Sequence, residues 1–282
     1  MTRWLGIDFS GDNSMWSPRC GRSNVWVADV SEAEGGLTLR ALGRVQSIGD
    51  PAIGTPFSRL AAALRNGDFS VAAIDAPFSV PAQFLPAGGH PQLLKHVGGL
   101  VRGQRYFCRG AEFVEAVSGL KPPLDPKKPL RQTENAWAKR AVNVRSTMWA
   151  GARGGAPMTA ACLTLLAEVG RPIWPWQCAA DGLLVEAFPA GQLVHWRATR
   201  ERDLPFQGYN GGIAPAGAAR DAIVKFLSRM IALGAHESVM RADADALDAV
   251  ICAFAAVAVT RGDVGLLPPD DDNGEGWIAV HQ

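Results

Sequence analysis

A short apolar run near the start of the chain, Trp4-Leu-Gly-Ile-Asp-Phe-Ser-Gly11, carries one carboxylate close to its end and then turns through small residues. This pattern predicts a central strand of an α/β domain, with Asp8 at its carboxyl end. In open α/β sheets, ligands bind outside the carboxyl ends of the strands. We therefore predict that the fold is arranged around this strand and that Asp8 belongs to a site.

A second segment repeats the pattern. The run Phe69-Ser-Val-Ala-Ala-Ile-Asp75 is also largely apolar and ends in Ile-Asp. An aspartate that follows a strand can simply cap the next turn, so each residue taken alone has two interpretations. If the two strands are neighbours in one sheet, however, Asp8 and Asp75 lie at the same edge. The repeated pattern then favours a shared site.

The remaining hydrophobic patterns also predict an α/β fold. Between the two acidic strands, we predict antiparallel strands at 24–30 and 37–45 and a helix at 56–65. Toward the end of the chain, the patterns predict a strand at 183–189, helices at 189–196, 216–233 and 243–259, and a short strand at 276–280.

Residues 76–180 have a different composition. They hold thirteen Lys and Arg residues against five Asp and Glu residues, a formal charge of +8 within a chain whose net charge is +1. Helices are predicted at 109–118, 133–145 and 157–169. We interpret the segment as a largely helical, basic insertion after the fourth strand of a single domain that spans residues 1–282.

Further carboxylates stand in apolar surroundings. Glu186 lies between Val185 and Ala187 in a predicted strand. Because a buried unpaired carboxylate is costly, Glu186 is either a metal ligand or general base, or a solvent-facing residue of an edge strand. Asp245 and Asp248 are spaced i, i+3, so they share one face of an otherwise apolar helix.

The helical pair also has two interpretations. Asp245 can be the N-cap and Asp248 the third helical residue, since both positions favour acidic side chains. The helix nevertheless carries no cation before Arg261, so a buried Asp248 needs a counter-charge. Carboxylates without clustered His or Cys favour hard cations such as Mg²⁺ or Mn²⁺. Two such ions about 4 Å apart can activate water and stabilise the leaving oxygen of a phosphodiester.

Taken in order, these motifs resemble those of a known superfamily. Gly6-Ile-Asp8, the antiparallel meander, Ala73-Ile-Asp75 and the late Asp245-Ala-Leu-Asp248 are similar to the RNase H-like superfamily, closest to its Holliday-junction-resolvase branch. A wider set adds Val185-Glu-Ala-Phe-Pro-Ala190 and Glu275-Gly-Trp-Ile278. This set resembles a bacterial and archaeal domain-of-unknown-function family that is described as predicted RNase H-like nucleases.

The resemblance implies an RNase H-like fold with a five-stranded mixed sheet flanked by helices. It also implies that Asp8, Asp75, Asp245 and Asp248 bind Mg²⁺ or Mn²⁺. The expected catalytic residues are Asp8, Asp75 and Asp248, with Glu186 as a further candidate. The implied activity is hydrolysis of DNA or RNA by metal-activated water.

Substrate contacts are expected from polar and basic side chains near these motifs. Ser10 follows the first acidic strand, and Lys139 and Arg140 belong to the basic segment, where they can contact phosphates. Arg131-Gln-Thr-Glu134 resembles an Arg-x-x-acid motif of the family, which makes Arg131 a substrate-facing candidate. Alternatively, Arg131 and Glu134 form an i, i+3 ion pair at a helix start. We expect a nucleic-acid partner; no sequence pattern indicates the oligomeric state.

The sequence is also compatible with two other functions. The run Asp8-Phe-Ser-Gly-Asp12 also resembles the first phosphate loop of actin-like ATPases and sugar kinases, although residues 208–217 match their second loop poorly. The chain can also be a non-catalytic nucleic-acid-binding module on an RNase H-like fold. Five widely spaced cysteines and the lack of a long apolar run predict a reduced, cytoplasmic protein outside the membrane.

Overall fold

The computed structural model describes residues 2–33, 35–50, 52, 54–122, 124–151, 154–211, 214–268 and 274–282. Its strands are β1 (Arg3–Asp8), β2 (Trp26–Ala33), β3 (Gly36–Arg44), β4 (Val71–Asp75), β5 (Leu183–Glu186) and β6 (Ile231–Ala232). Its helices are α1 (Pro56–Asn66), α2 (Gly89–Gly98), α3 (Gly110–Ser118), α4 (Gln132–Ala138), α5 (Gly155–Val169), α6 (Pro189–Thr199), α7 (Ala214–Leu227), α8 (Glu237–Ala242) and α9 (Ala244–Arg261). The strands form a six-stranded mixed sheet in the order β5-β4-β1-β2-β3-β6, flanked by helices.

The first strand, β1, lies inside the sheet, with β2 antiparallel on one side and β4 parallel on the other. In the parallel pair, Asp8 stands opposite Asp75 in register. Neighbouring strands are about 4.8 Å apart, and in-register partners point to the same face of the sheet. The two strands that end in Ile-Asp are therefore neighbours, as the shared-site interpretation requires.

Helix α9 packs across β1, and a glycine makes this contact possible. A Cβ atom at Gly6 would overlap with the backbone of Ala249 in the helix. Two residues earlier, Trp4 Nε1 donates a 2.8 Å hydrogen bond to Thr260 Oγ1 near the end of the same helix. Because side chains alternate along a strand, Trp4, Gly6 and Asp8 all face α9.

The opposite face of the sheet carries a second core. Leu5 and Ile7 of β1 pack there with buried residues of α1 and α5. Helices α2 and α3 contact α5 in turn. The four helices α2 to α5 all lie within residues 76–180. That this segment is an insertion into one domain stays a prediction.

The sheet has one strand more than the five that the resemblance implies. The helix predicted at 216–233 ends at Leu227, and Ile231 and Ala232 form β6, which pairs in parallel with β3. A strand of two residues is too short to show an alternating pattern of its own. In the sequence, the helical periodicity of α7 therefore continues through it.

Two further predictions differ from the structure. The helix predicted at 133–145 is the shorter α4, because the chain turns at Ala141, whose φ is +61°. In place of the strand predicted at 276–280, there are isolated bridges, one of which joins Ile278 to Glu186. Among the described residues, no helix is long and apolar enough to span a membrane.

Replacement of Gly6 by valine tests the packing of α9 on β1. The added side chain has to displace the helix backbone, so we expect the free energy of unfolding to fall by about 3 kcal/mol. Urea denaturation measures this change. Gly217→Ala in α7 is the control, because an added Cβ meets nothing within 4 Å there, and alanine favours a helix by up to about 1 kcal/mol. A Gly6→Val protein as stable as the wild type would contradict the close contact.

Candidate acidic site at the carboxyl end of the sheet

Asp8 and Asp75 form the base of an acidic site, since they end neighbouring parallel strands in register. Both point to the face on which α9 lies, where Gly6 leaves room for the helix. Asp8 is buried, with 7% of its surface exposed, and Asp75 is half-buried. The two carboxylates are therefore neighbours in a region that is largely shielded from water.

The first turns of α9 bring a third carboxylate to this pair. Asp248 is buried, and its Oδ1 accepts a 2.8 Å hydrogen bond from the Tyr209 hydroxyl. One turn later, burial and the charges of Asp75, Asp8 and Asp248 raise the pKa of the Cys252 thiol, so this part of α9 lies near the three carboxylates. Asp248 raises the pKa of Asp8, and Asp75 raises the pKa of Asp248, so the three carboxylates interact.

Burial and mutual repulsion raise the pKa of each carboxyl group in the site. The pKa of Asp8 rises well above its usual range, first by burial and then by the charges of Asp248 and Asp75. Burial, Glu186 and Asp245 raise the pKa of Asp75 to about 7. Burial and Asp75 also raise the pKa of Asp248. Proximity therefore makes the fully charged state of this group unfavourable.

Asp245 lies at the half-buried rim of the group, where burial and Asp243 raise its pKa to about 6. The N-cap of α9 is Asp243, whose Oδ1 accepts hydrogen bonds from the backbone N of Asp245 and Ala246. Arg44 lowers the pKa of Asp245, but its guanidinium is paired with Asp243 at 3.3 Å. The capping role considered for Asp245 thus belongs to Asp243, which leaves the Asp245 side chain for other contacts.

The chemistry of these carboxylates fits a divalent cation. None of the ion pairs found among the described residues includes Asp8, Asp75 or Asp248. Carboxylate oxygens are the ligands that Mg²⁺ and Mn²⁺ prefer. Within the same part of the chain, no group of three or more His, Cys, Asp or Glu side chains is already arranged so that it could hold a metal ion. A cation here would take further ligands from water and a substrate phosphate, as Mg²⁺ commonly does.

Glu186 lies close to these aspartates but on the opposite face of the sheet. It pairs in register with Ile74, the residue before Asp75, so alternation turns its side chain away from α9. Both of its carboxylate oxygens accept hydrogen bonds from the guanidinium of Arg131. The backbone N of Phe78 donates a further bond of 2.9 Å. In this structure, the Glu186 carboxylate is therefore compensated by protein groups; its catalytic role stays a prediction.

Arg131 lies inside the protein, with 1% of its surface exposed. Its Nε donates a 2.9 Å hydrogen bond to Glu134, and its two terminal nitrogens donate to Glu186. The i, i+3 ion pair considered from the sequence is thus present, within a buried ion network of Glu134, Arg131 and Glu186. All three guanidinium nitrogens are used in this network, and a substrate contact by Arg131 stays a prediction.

The other predicted substrate contacts are dispersed. Ser10 is buried, and its Oγ accepts a 3.2 Å hydrogen bond from the backbone N of Asp12, an arrangement that stabilises a turn. Lys139 and Arg140 are exposed at the end of α4, where the Arg140 guanidinium lies 5.8 Å from the ring centre of Trp137. Contacts of Ser10, Lys139 and Arg140 with a substrate stay predictions.

A cavity of about 290 Å³ opens beside Asp75. Its lining includes the buried ion network together with Arg145, Met158 and Phe188. The cavity therefore connects the acidic site with residues of the basic segment and with the chain after β5.

Two residues near the acids, Tyr209 and Asp243, are not among the site residues predicted from the sequence. Tyr209 lies in a glycine-rich loop without periodicity, and Arg220 holds this loop by donating hydrogen bonds to the carbonyl groups of Tyr209 and Gly211. The hydrogen bond between Tyr209 and Asp248 joins residues that are 39 positions apart. The N-cap Asp243 carries one local signal, the preference of aspartate for helix starts.

The pH dependence of stability tests the electrostatics of the acidic site. An aspartate whose pKa is raised by folding holds a proton that the unfolded chain releases, so stability falls as the pH rises from the unfolded pKa to the folded pKa. For Asp75, these limits are 3.8 and about 7. We expect metal-free Asp75→Asn protein to gain at least about 1 kcal/mol over the wild type between pH 5 and pH 8, since one pKa unit corresponds to about 1.4 kcal/mol.

Urea denaturation in chelator at the two pH values measures this difference. His90 and His281, whose pKa falls to about 4, change stability in the opposite direction, so the comparison is between variant and wild type. Asp203→Asn, at an exposed position, is the control and should follow the wild type. Parallel curves for the wild type and Asp75→Asn would show that Asp75 has an ordinary pKa.

Arg131→Met tests the buried ion network. The change leaves two buried carboxylates without their cation, so we expect a loss of about 3–5 kcal/mol in the free energy of unfolding. Arg140→Met removes an exposed arginine from the same segment and should cost less than about 1 kcal/mol. Thermal and urea denaturation of both variants decide the question; equal losses would mean that the network does not stabilise the fold.

Comparison with known proteins places the chain in one family. No curated protein and no solved structure matches it. A family model described as "Protein of unknown function (DUF429)" matches residues 6–273, a range that includes the acidic site. Membership in a domain-of-unknown-function family, predicted from the motifs, is confirmed, whereas the RNase H-like affiliation stays a prediction. The chain belongs to the DUF429 family.

Proposed function

We propose that this protein is a metal-dependent phosphodiesterase that hydrolyses DNA or RNA. The observation that carries the proposal is the convergence of Asp8, Asp75 and Asp248 from three elements, without an ion-pair partner among the described residues. Carboxylates that serve only stability are normally paired when they are buried. Carboxylates with strongly raised pKa values beside a cavity are typical of catalytic sites.

In this proposal, Asp8, Asp75 and Asp248 hold Mg²⁺ or Mn²⁺, and Asp245 completes the set at the rim. Such ions, when bound, activate water and stabilise charge at a phosphodiester. Tyr209 orients the Asp248 carboxylate through its hydrogen bond. Because a carboxylate must lose its proton to bind a metal, the pKa of about 7 at Asp75 makes metal affinity increase with pH around neutrality.

The sheet order supports an RNase H-like fold, which we propose for the chain. An acidic central strand lies between an antiparallel meander and a second, parallel acidic strand, as the motifs imply. The added strand β6 pairs with β3 and is separated from β1 by two strands. Strand β6 therefore extends the sheet on the side away from β4, and it does not change the pairing of β1 with β4, which carry Asp8 and Asp75. We also keep a single domain with a basic insertion, in the cytoplasm, as part of the proposal.

The basic segment and the chain after β5 together offer contacts for a polyanion. A groove of about 320 Å³ is lined by Arg140, Arg197 and Arg202, and its described lining contains no acidic residue. A neighbouring groove includes Lys139 and Arg140. Helix α4 begins beside the ion network and ends at these cations, a rise of about 10 Å for its seven residues. A nucleic-acid strand bound at Asp75 would reach them within a few nucleotides, and their charges would hold its phosphates.

Cleavage assays test the proposal. The panel contains single-stranded and duplex DNA, RNA, an RNA–DNA hybrid and branched DNA, each with Mn²⁺, Mg²⁺ or chelator. We expect cleavage of at least one substrate that depends on metal and falls about 100-fold or more in Asp8→Asn. The control Asp203→Asn, an exposed aspartate outside the site, should retain wild-type activity.

Full activity of Asp8→Asn would contradict the proposal. If no substrate is cleaved, the melting temperature in Mn²⁺ separates the alternatives. An increase that Asp8→Asn abolishes would support the metal site and point to a different phosphodiester substrate. No increase would favour the non-catalytic binding module.

A further inference from the structure

The cavity beside Asp75 is suited to one small organic group. Its volume of about 290 Å³ lies at the lower end of the range for ligand cavities, which commonly measure about 300–1,000 Å³. A base-paired duplex is much wider than such a cavity. Since Asp75 belongs to both the acidic site and the cavity lining, a group bound in the cavity would adjoin the reacting phosphodiester.

The apolar part of the lining comes from two different cores. Met158 of α5 packs at the edge of the core that contains Ile7, and Phe188 packs in a smaller cluster with Trp137. Both side chains are half-buried and line the cavity. Phe188 is held edge-on against Trp137, with 6.4 Å between the ring centres. Nucleobases stack on aromatic side chains, at about 1–3 kcal/mol per base.

The charged part of the lining complements a nucleotide. The buried ion network is internally paired, and the other charged residues of the lining are Asp75 and Arg145, whose guanidinium lies 5.2 Å from the ring centre of Trp149. The segment that carries Arg145 is anchored by Lys127, whose Nζ donates 2.7 Å hydrogen bonds to Asn143 Oδ1 and the carbonyl of Val144. A guanidinium at this position is suited to a phosphate or to the polar edge of a base.

We infer that this cavity holds one unpaired nucleotide next to the cleaved phosphodiester, with its base against Met158 and Phe188. The inference rests on the proposed function and names its substrate class. That class is single-stranded or locally unpaired nucleic acid rather than continuous duplex. The ion network forms a rigid part of the wall, because movement of any member would leave a buried charge uncompensated.

Binding of labelled 12-mers in chelator, followed by fluorescence anisotropy, tests this inference without cleavage. The probes are single-stranded DNA, single-stranded RNA, a blunt DNA duplex and an abasic single strand of equal length. We expect at least one base-bearing single strand to bind about tenfold more tightly than the duplex and the abasic strand, since tenfold corresponds to about 1.4 kcal/mol. The abasic strand keeps the phosphates and thus separates base binding from charge.

Met158→Trp fills the cavity and should weaken single-strand binding about tenfold. Arg145→Gln removes the guanidinium without adding bulk and should also weaken single-strand binding. This variant provides the test if Met158→Trp does not fold. The matched control is Val101→Trp, which adds the same ring at a position that is 87% exposed and should bind like the wild type. Melting curves establish that each variant is folded before binding is measured.

Equal binding of all four probes, or unchanged binding by the folded cavity variants, would overturn the inference. Mn²⁺-dependent stabilisation of the wild type and its loss in Asp8→Asn, measured on the same preparations, reports on the acidic site alone. Base-dependent binding without this stabilisation would support the cavity and reject the metal-dependent activity. Stabilisation without any preference for base-bearing single strands would support the metal site and reject the nucleotide cavity.

Discussion

The contact between Gly6 and the backbone of α9 determines where the acidic residues of this protein meet. Without a side chain at residue 6, the helix lies directly on the central strand, and a hydrogen bond between Trp4 and Thr260 holds its far end. At the near end, the charge of Asp248 raises the pKa of the buried Asp8. Groups carried by packed strands and helices are held more firmly than groups on loops. The position of the site is therefore a consequence of core packing.

The sheet separates two groups of carboxylates that are neighbours in space. Asp75 points toward α9 and interacts with other acids, whereas Glu186 points to the opposite face and is paired with Arg131. One position of strand register decides between these two environments. The paired group is compensated within the protein, and the unpaired group is the one that we propose as a ligand set. The lining of the cavity beside Asp75 includes members of both groups.

Much of this architecture can be predicted from local sequence. The apolar runs that end in Asp8 and Asp75 predict strands, and the long apolar helix with two early aspartates predicts α9 and its burial. The strand β6 could not be predicted, because two residues are too few to show the alternation of apolar and polar side chains. The role of Tyr209 could not be predicted either, because its hydrogen bond to Asp248 depends on the tertiary position of a glycine-rich loop. The pairing of Glu186 with Arg131 likewise joins residues that are 55 positions apart, and no local sequence pattern indicates it. Local patterns thus predict the elements and several of the acids, while the partner of each acid is decided by the tertiary structure.

An anomalous-scattering experiment on crystals grown or soaked in Mn²⁺ tests directly whether the acidic site binds a metal. We expect a strong anomalous peak among the carboxylates of Asp8, Asp75 and Asp248, with the buried ion network of Glu134, Arg131 and Glu186 intact on the other face. A crystal that contains Mn²⁺ only elsewhere, or one in which Glu186 leaves Arg131 to bind the metal, would contradict the assignment of the two groups.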